Sequence, residues 1–104
     1  MANLTRYNVS AIIVDKRNRI LSIGKNSYVK THPLQAKHAK RVGKENAIFL
    51  HAEIQAIIKC RNIEDAHKII VARYDSKGQP RLAKPCDICM DALRSFGITK
   101  IEHT

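Results

Sequence analysis

Hydrophobic and polar positions change period several times along the chain, and each change marks an element. Val9-Ser10-Ala11-Ile12-Ile13-Val14 is a short β-rich apolar run that stops at the polar stretch Asp15-Lys16-Arg17-Asn18-Arg19. Ile20-Leu21-Ser22-Ile23 resumes it, so the two runs are expected to pair as an antiparallel hairpin. A long basic stretch, Tyr28 to Asn46, follows. Ile48, His51, Ala52, Gln55 and Ile58 then recur at steps of three and four, which predicts a helix from near Ile48 to Arg61. His67 to Tyr74 is a third strand, closed by the turn sequence Asp75-Ser76-Lys77-Gly78. Pro85 precedes a second helix, Cys86 to Phe96, with Gly97 as its C′ residue, and Ile98 to Glu102 is a last short strand. The order ββαβαβ predicts an α/β fold, a mixed sheet of about four strands covered by helices. Nothing marks a boundary, so residues 1–104 are expected to form one domain.

Composition narrows the class. A chain of 104 residues, 44% hydrophobic, has room for one small core and is not a disordered sequence. It contains no long apolar run and no signal-peptide pattern, which predicts no membrane span. Three cysteines without a secretory signal suit a reducing, cytoplasmic setting, with thiols free or on a metal. Nineteen Lys and Arg against nine Asp and Glu leave a formal charge of +10, which favours anionic partners such as nucleotides or nucleic acid.

The chemistry sits in two short motifs, His51-Ala52-Glu53 and Pro85-Cys86-Asp87-Ile88-Cys89. One imidazole and two thiolates make three ligands for a zinc ion and leave a fourth position for water. Taken alone, the C-x-x-C is equally a redox pair or two buried cysteines, and the H-x-E a surface pair. Together, with Pro85 before the first Cys, they favour zinc held by His51, Cys86 and Cys89, with Glu53 left to move protons. Cys86 and Cys89 share one face of their helix. Within one helix the side chains of His51 and Glu53 diverge by about 200°, so they meet only beyond the helix end. Two helix N-termini aimed at one spot also favour the thiolates. Cys60 is nine residues beyond His51, roughly 13 Å along a continuous helix, and reads as a core residue. His67 is a weaker alternative ligand.

These motifs resemble the cytidine deaminase superfamily, most of all its deoxycytidylate and cytidine deaminases, including small phage-encoded ones. The resemblance covers roughly residues 8 to 102. It implies a three-layer α/β/α fold, zinc on His51, Cys86 and Cys89, and Glu53 as proton shuttle in hydrolytic deamination at C4 of cytosine or C6 of adenine. Gly24-Lys25-Asn26 is similar to the family's G-x-N, which implies a sugar contact for Asn26, although a turn asparagine fits equally. Backbone groups near Ala52 and Pro85 are expected to orient the base. Gln55 departs from the H-A-E-x-N of deoxycytidylate deaminases, and the sequence stops at Thr104 soon after the last strand. A neighbouring subunit is therefore expected to complete the pocket, in a homo-oligomer.

Between Asn26 and His51 the segment Lys30 to Lys44 carries five Lys or Arg, two His and no acid. Lys37, Lys40, Arg41 and Lys44 are candidate phosphate contacts; the alternative is a solvated loop or helix face. Tyr28, Phe49 and Tyr74 are few aromatics for stacking a polynucleotide, which tilts the expectation towards a free cytosine nucleoside or nucleotide. A single-strand DNA or RNA deaminase and a non-catalytic zinc-stabilised nucleic-acid-binding module are the alternatives. The intact Glu53 speaks against the last.

Overall fold

The computed structural model describes residues 8–27, 29–44 and 49–104. The first two apolar runs pair as their period requires. Strand β1 (Asn8–Val14) and strand β2 (Ile20–Lys25) form the expected antiparallel hairpin, with Ile12 opposite Ile23. Asp15 closes it by accepting from the backbone N–H of Arg19 (2.9 Å) and Arg17 (2.8 Å) and from Arg19 Nε (2.8 Å). These donors, the Arg19 N–H first, hold its carboxyl below the usual carboxylate range.

Strand β3 (Lys68–Tyr74) lies antiparallel to β1 on its other side. The outer edge of β3 is shared. Its first half pairs in parallel with β5 (Lys100–His103), and its second half antiparallel with the two-residue β4 (Pro80–Arg81). The mixed sheet thus has five strands, one more than the apolar runs predict. Strand β4 returns from the 75–78 turn, where Asp75 accepts from the N–H of Lys77 and Gln79 and meets Arg81 Nη2 at 2.8 Å. Thr104 knits the junction: it donates N–H to the Val71 carbonyl (3.1 Å) and accepts from the N–H of Ala83 (2.9 Å) and, through Oγ1, of Arg73 (3.1 Å). The segment leading into Pro85 and Cys86 is fastened to the sheet in this way.

Register assigns the faces. Ala11 and Ile13, Ile69 and Val71, and Ser22 and Gly24 share the face that is buried. Ile12, Ile23 and Ile70 share the other, where Ile23 stays 48% exposed. Three helices, α1 (Pro33–Arg41), α2 (Ala52–Lys59) and α3 (Asp87–Ser95), feed one core cluster with the buried face. Of the three layers implied by the resemblance, the described residues supply the sheet and this helical layer. None of the described helices is long and apolar enough to cross a membrane.

Helix α2 lies hard against β2. A Cβ on Gly24 would stand 2.2 Å from the Ala52 carbonyl oxygen and 2.4 Å from Ala56 N, and Ser22 Oγ donates to the Ala56 carbonyl at 2.7 Å. Gly24 is therefore required by close approach.

The structure corrects three expectations about the elements. Helix α2 begins at Ala52, not near Ile48, a residue outside those described. Phe49 forms a bridge with Thr31, and Leu50 N–H donates to the Lys30 carbonyl (2.8 Å), so the backbone is still extended there. Helix α3 begins at Asp87, with Cys86 as its N-cap; Gly97, at φ 77°, ends it as expected. The basic stretch holds a helix missing from the predicted element order, α1, started by Pro33 at its first turn and by His32, whose Nδ1 accepts from Leu34 N–H (3.0 Å).

Candidate active site

The two ligand-bearing motifs fold into two helix starts that face each other. His51 is the N-cap of α2 and Cys86 the N-cap of α3, and neither side chain caps its own helix. His51 Nδ1 stands 3.2 Å from Cys89 Sγ and 3.5 Å from Cys86 Sγ, and the donor atoms of the three residues all lie within 4.8 Å of one another. A tetrahedral zinc with ordinary bond lengths puts its nitrogen and sulfur ligands ~3.6 Å apart. The donor set and its spacing fit that ion and leave one coordination position open. Cys60 does not join it, being buried in the core at the C-cap of α2. Nor does His67, which is not among the three described residues whose donor atoms gather there.

The electrostatics suit a cation. The hydrogen bond from the Cys89 thiol, more than any other cause, brings the Cys86 thiol down to about 4, with His51 helping. The same bond, with burial, pushes the Cys89 thiol up. Cys86 in turn raises His51. Because a metal takes its sulfur ligands as thiolates and its imidazole neutral, binding at this site releases protons.

Glu53, in the first turn of α2, is 95% buried beside these ligands, since only 5% of it is exposed. Because His51 lies before the helix with extended backbone, the divergence expected within one helix does not keep the two side chains apart. Burial pushes the Glu53 carboxyl up. Both residues line a cavity of about 390 Å³ together with Asn26, Phe49, Ala52, Arg73, Lys84 and Cys86.

The remaining expected site residues fall in three places. Asn26 stands at the cavity edge, where its Oδ1 accepts from Val9 N–H (3.0 Å) and its own N–H donates to the Val9 carbonyl (3.2 Å). Ala52 forms cavity wall, whereas Pro85 is buried beside it and contributes none. Lys37 and Lys40 are exposed on α1, Arg41 Nε lies 3.0 Å from Asp91, and Lys44 Nζ lies 3.3 Å from Asp87. None of these four lines the cavity. The cations that do are Arg73 and Lys84. Arg73 had a signal in the sequence: it shares the parity of Ile69 and Val71, a cation on the apolar face of a strand.

Compared with known families, residues 1–103 match the cytidine and deoxycytidylate deaminase zinc-binding region. The chain belongs to this deaminase family. No curated protein matches it. In this family the ion is zinc, and His51, Cys86 and Cys89 are the residues positioned to hold it.

Proposed function

We propose that the protein is a hydrolytic deaminase that converts a cytosine nucleoside or nucleotide (cytidine, deoxycytidine or its monophosphate) to the uracil form with release of ammonia. The observation that carries this reading is Glu53, a buried carboxyl that closes on the three-ligand cluster without being needed as a ligand. When bound, zinc supplies Lewis acidity that makes a water nucleophilic near neutral pH. Glu53 takes one proton of the attacking water and hands it to the ring nitrogen. It then takes the proton of the newly added hydroxyl and delivers it to the amine, which leaves as ammonia while the ring carbonyl forms. One carboxyl thus acts as base and acid in turn. The apolar lining of Phe49, Leu50 and Ala52 suits the flat face of a base, and Asn26 at the edge suits a sugar hydroxyl. Arg73 and Lys84 support a phosphorylated substrate, because they bring positive charge to the cavity itself.

The net charge of +10 supports a second reading, deamination of a base within single-stranded nucleic acid. In either case residues 1–104 would act as one domain, in a reducing compartment such as the cytoplasm, and as a homo-oligomer. The test is to incubate zinc-loaded protein with cytosine and adenine nucleosides, their monophosphates and oligonucleotides, and to follow absorbance and mass. Conversion of a cytosine monomer supports the first reading, and conversion of oligonucleotides alone supports the second. No conversion of any member of the panel would refute both.

A further inference from the structure

Helix α1 buries polar side chains where a core helix usually buries apolar ones. Gln35 and His38 are three residues apart, hence on one face, and both have 0% exposure. Burying such side chains is costly unless they are hydrogen-bonded. Each has one partnered atom that reaches towards the site, although His38 Nε2 is buried without a partner among the described residues. Gln35 Oε1 accepts from the backbone N–H of His51 at 3.2 Å, and the His51 carbonyl accepts from Gln55 N–H at 3.0 Å. The peptide groups on both sides of His51 are thereby held, and only its side-chain torsions remain to place the ring. His38 ties α1 to a different element: its Nδ1 lies 2.5 Å from Asp91 Oδ2, an oxygen that also receives Arg41 Nε at 3.0 Å. Asp91 stands in α3, two residues beyond Cys89.

We infer that α1 is the brace of the metal site. Gln35 positions His51, while His38 acts through Asp91 to set the helix that carries Cys86 and Cys89. The inference rests on the zinc reading above. The imidazole and the thiols come from segments 35 and 38 residues apart. Without a brace, an incoming ion would have to order both segments itself. With it, the donors already stand near tetrahedral separation. Gln35 and His38 reach neither base nor ion; they are positioning residues.

The test reads metal affinity by chelator competition and site geometry by the absorption spectrum of the cobalt-substituted protein. Gln35→Met keeps length and packing but removes the acceptor. It is expected to weaken zinc binding by about 10- to 100-fold, the scale seen for residues that orient metal ligands, and to alter the cobalt spectrum. Gln35→Glu keeps the acceptor and should retain the parent spectrum. Ile54→Val weakens the core without touching the site and should leave both readouts unchanged, which separates position from stability. Should Gln35→Met fail to fold, Asp91→Ala severs the other tie at a less buried position and must show the same loss. Parent-like affinity and spectrum in either variant would overturn the brace. These readouts use no substrate, so a protein that binds zinc yet deaminates nothing would overturn the proposed function alone.

Discussion

Glu53, Cys86, Cys89 and Asp15 each make a separable prediction. Glu53 is beside the ligands but is not one of them, so Glu53→Gln should keep stoichiometric zinc while turnover falls by at least ~10²-fold. Metal analysis alongside single-turnover rates checks both halves. Cys86→Ala or Cys89→Ala removes a thiolate from a three-residue donor set and should lose zinc and lower the melting temperature together. Asp15 predicts a pH dependence. Its folded pKa is depressed, so its stabilising effect is complete above the unfolded value, about 4, and is lost as pH falls through the folded one. Asp75 and Asp91 are shifted in the same direction, first by the Gln79 N–H and by His38 respectively. Asp15→Asn should therefore lower the urea midpoint at neutral pH, where the effect is complete, and flatten part of the acid limb, because less is left to lose as pH falls.

At the level of elements, the contact between α2 and β2 leaves no room for a side chain at Gly24. Gly24→Ala would drive a methyl group into backbone atoms of α2, which cannot turn aside as a side chain can. Overpacking of this kind costs about 1–3 kcal/mol, and here it also shifts His51 and Glu53, so urea midpoint and zinc affinity should fall together. The sequence showed the hairpin, β3, α3 and the ligand set because those elements rest on apolar period or on short-range motifs. Helix α1 escaped because its buried positions are Gln35, His38 and Ala39, a stripe that hydropathy counts as surface. The start of α2 differs from the expected one because Ile48 and His51 fall in helical phase in the sequence, while Phe49 between them is committed to a bridge with Thr31. Strand β4 was invisible for a simpler reason: two residues have no period. Of the cations at the cavity, Arg73 showed only its parity with Ile69 and Val71 and Lys84 showed nothing, because long-range pairing is what brings both to the cavity that His51 lines.

For the whole molecule, charge and the sheet face turned away from the core predict opposite responses to salt. Self-association through the face that bears Ile12, Ile23 and Ile70 works against a charge of +10 and should strengthen as salt is raised. Binding to a single-stranded oligonucleotide should weaken instead, with log K falling by roughly 0.7 per neutralised phosphate for each log unit of salt. Sedimentation and oligonucleotide titration at low and high salt measure both slopes, and a salt-independent monomer would remove the oligomer from the proposal. The placement of β5 carries a consequence for biosynthesis. Thr104, which follows this parallel strand, fastens the segment that leads into Cys86, yet strand and Thr104 are both translated after it. At ordinary elongation rates His51 is made roughly 2–8 s before Cys89, and the fastening strand later still. A nascent chain therefore offers an imidazole with no thiol partners, and zinc is captured only once synthesis has passed α3. Scarcity of the metal would leave full-length apo chains to be triaged, not stalled fragments.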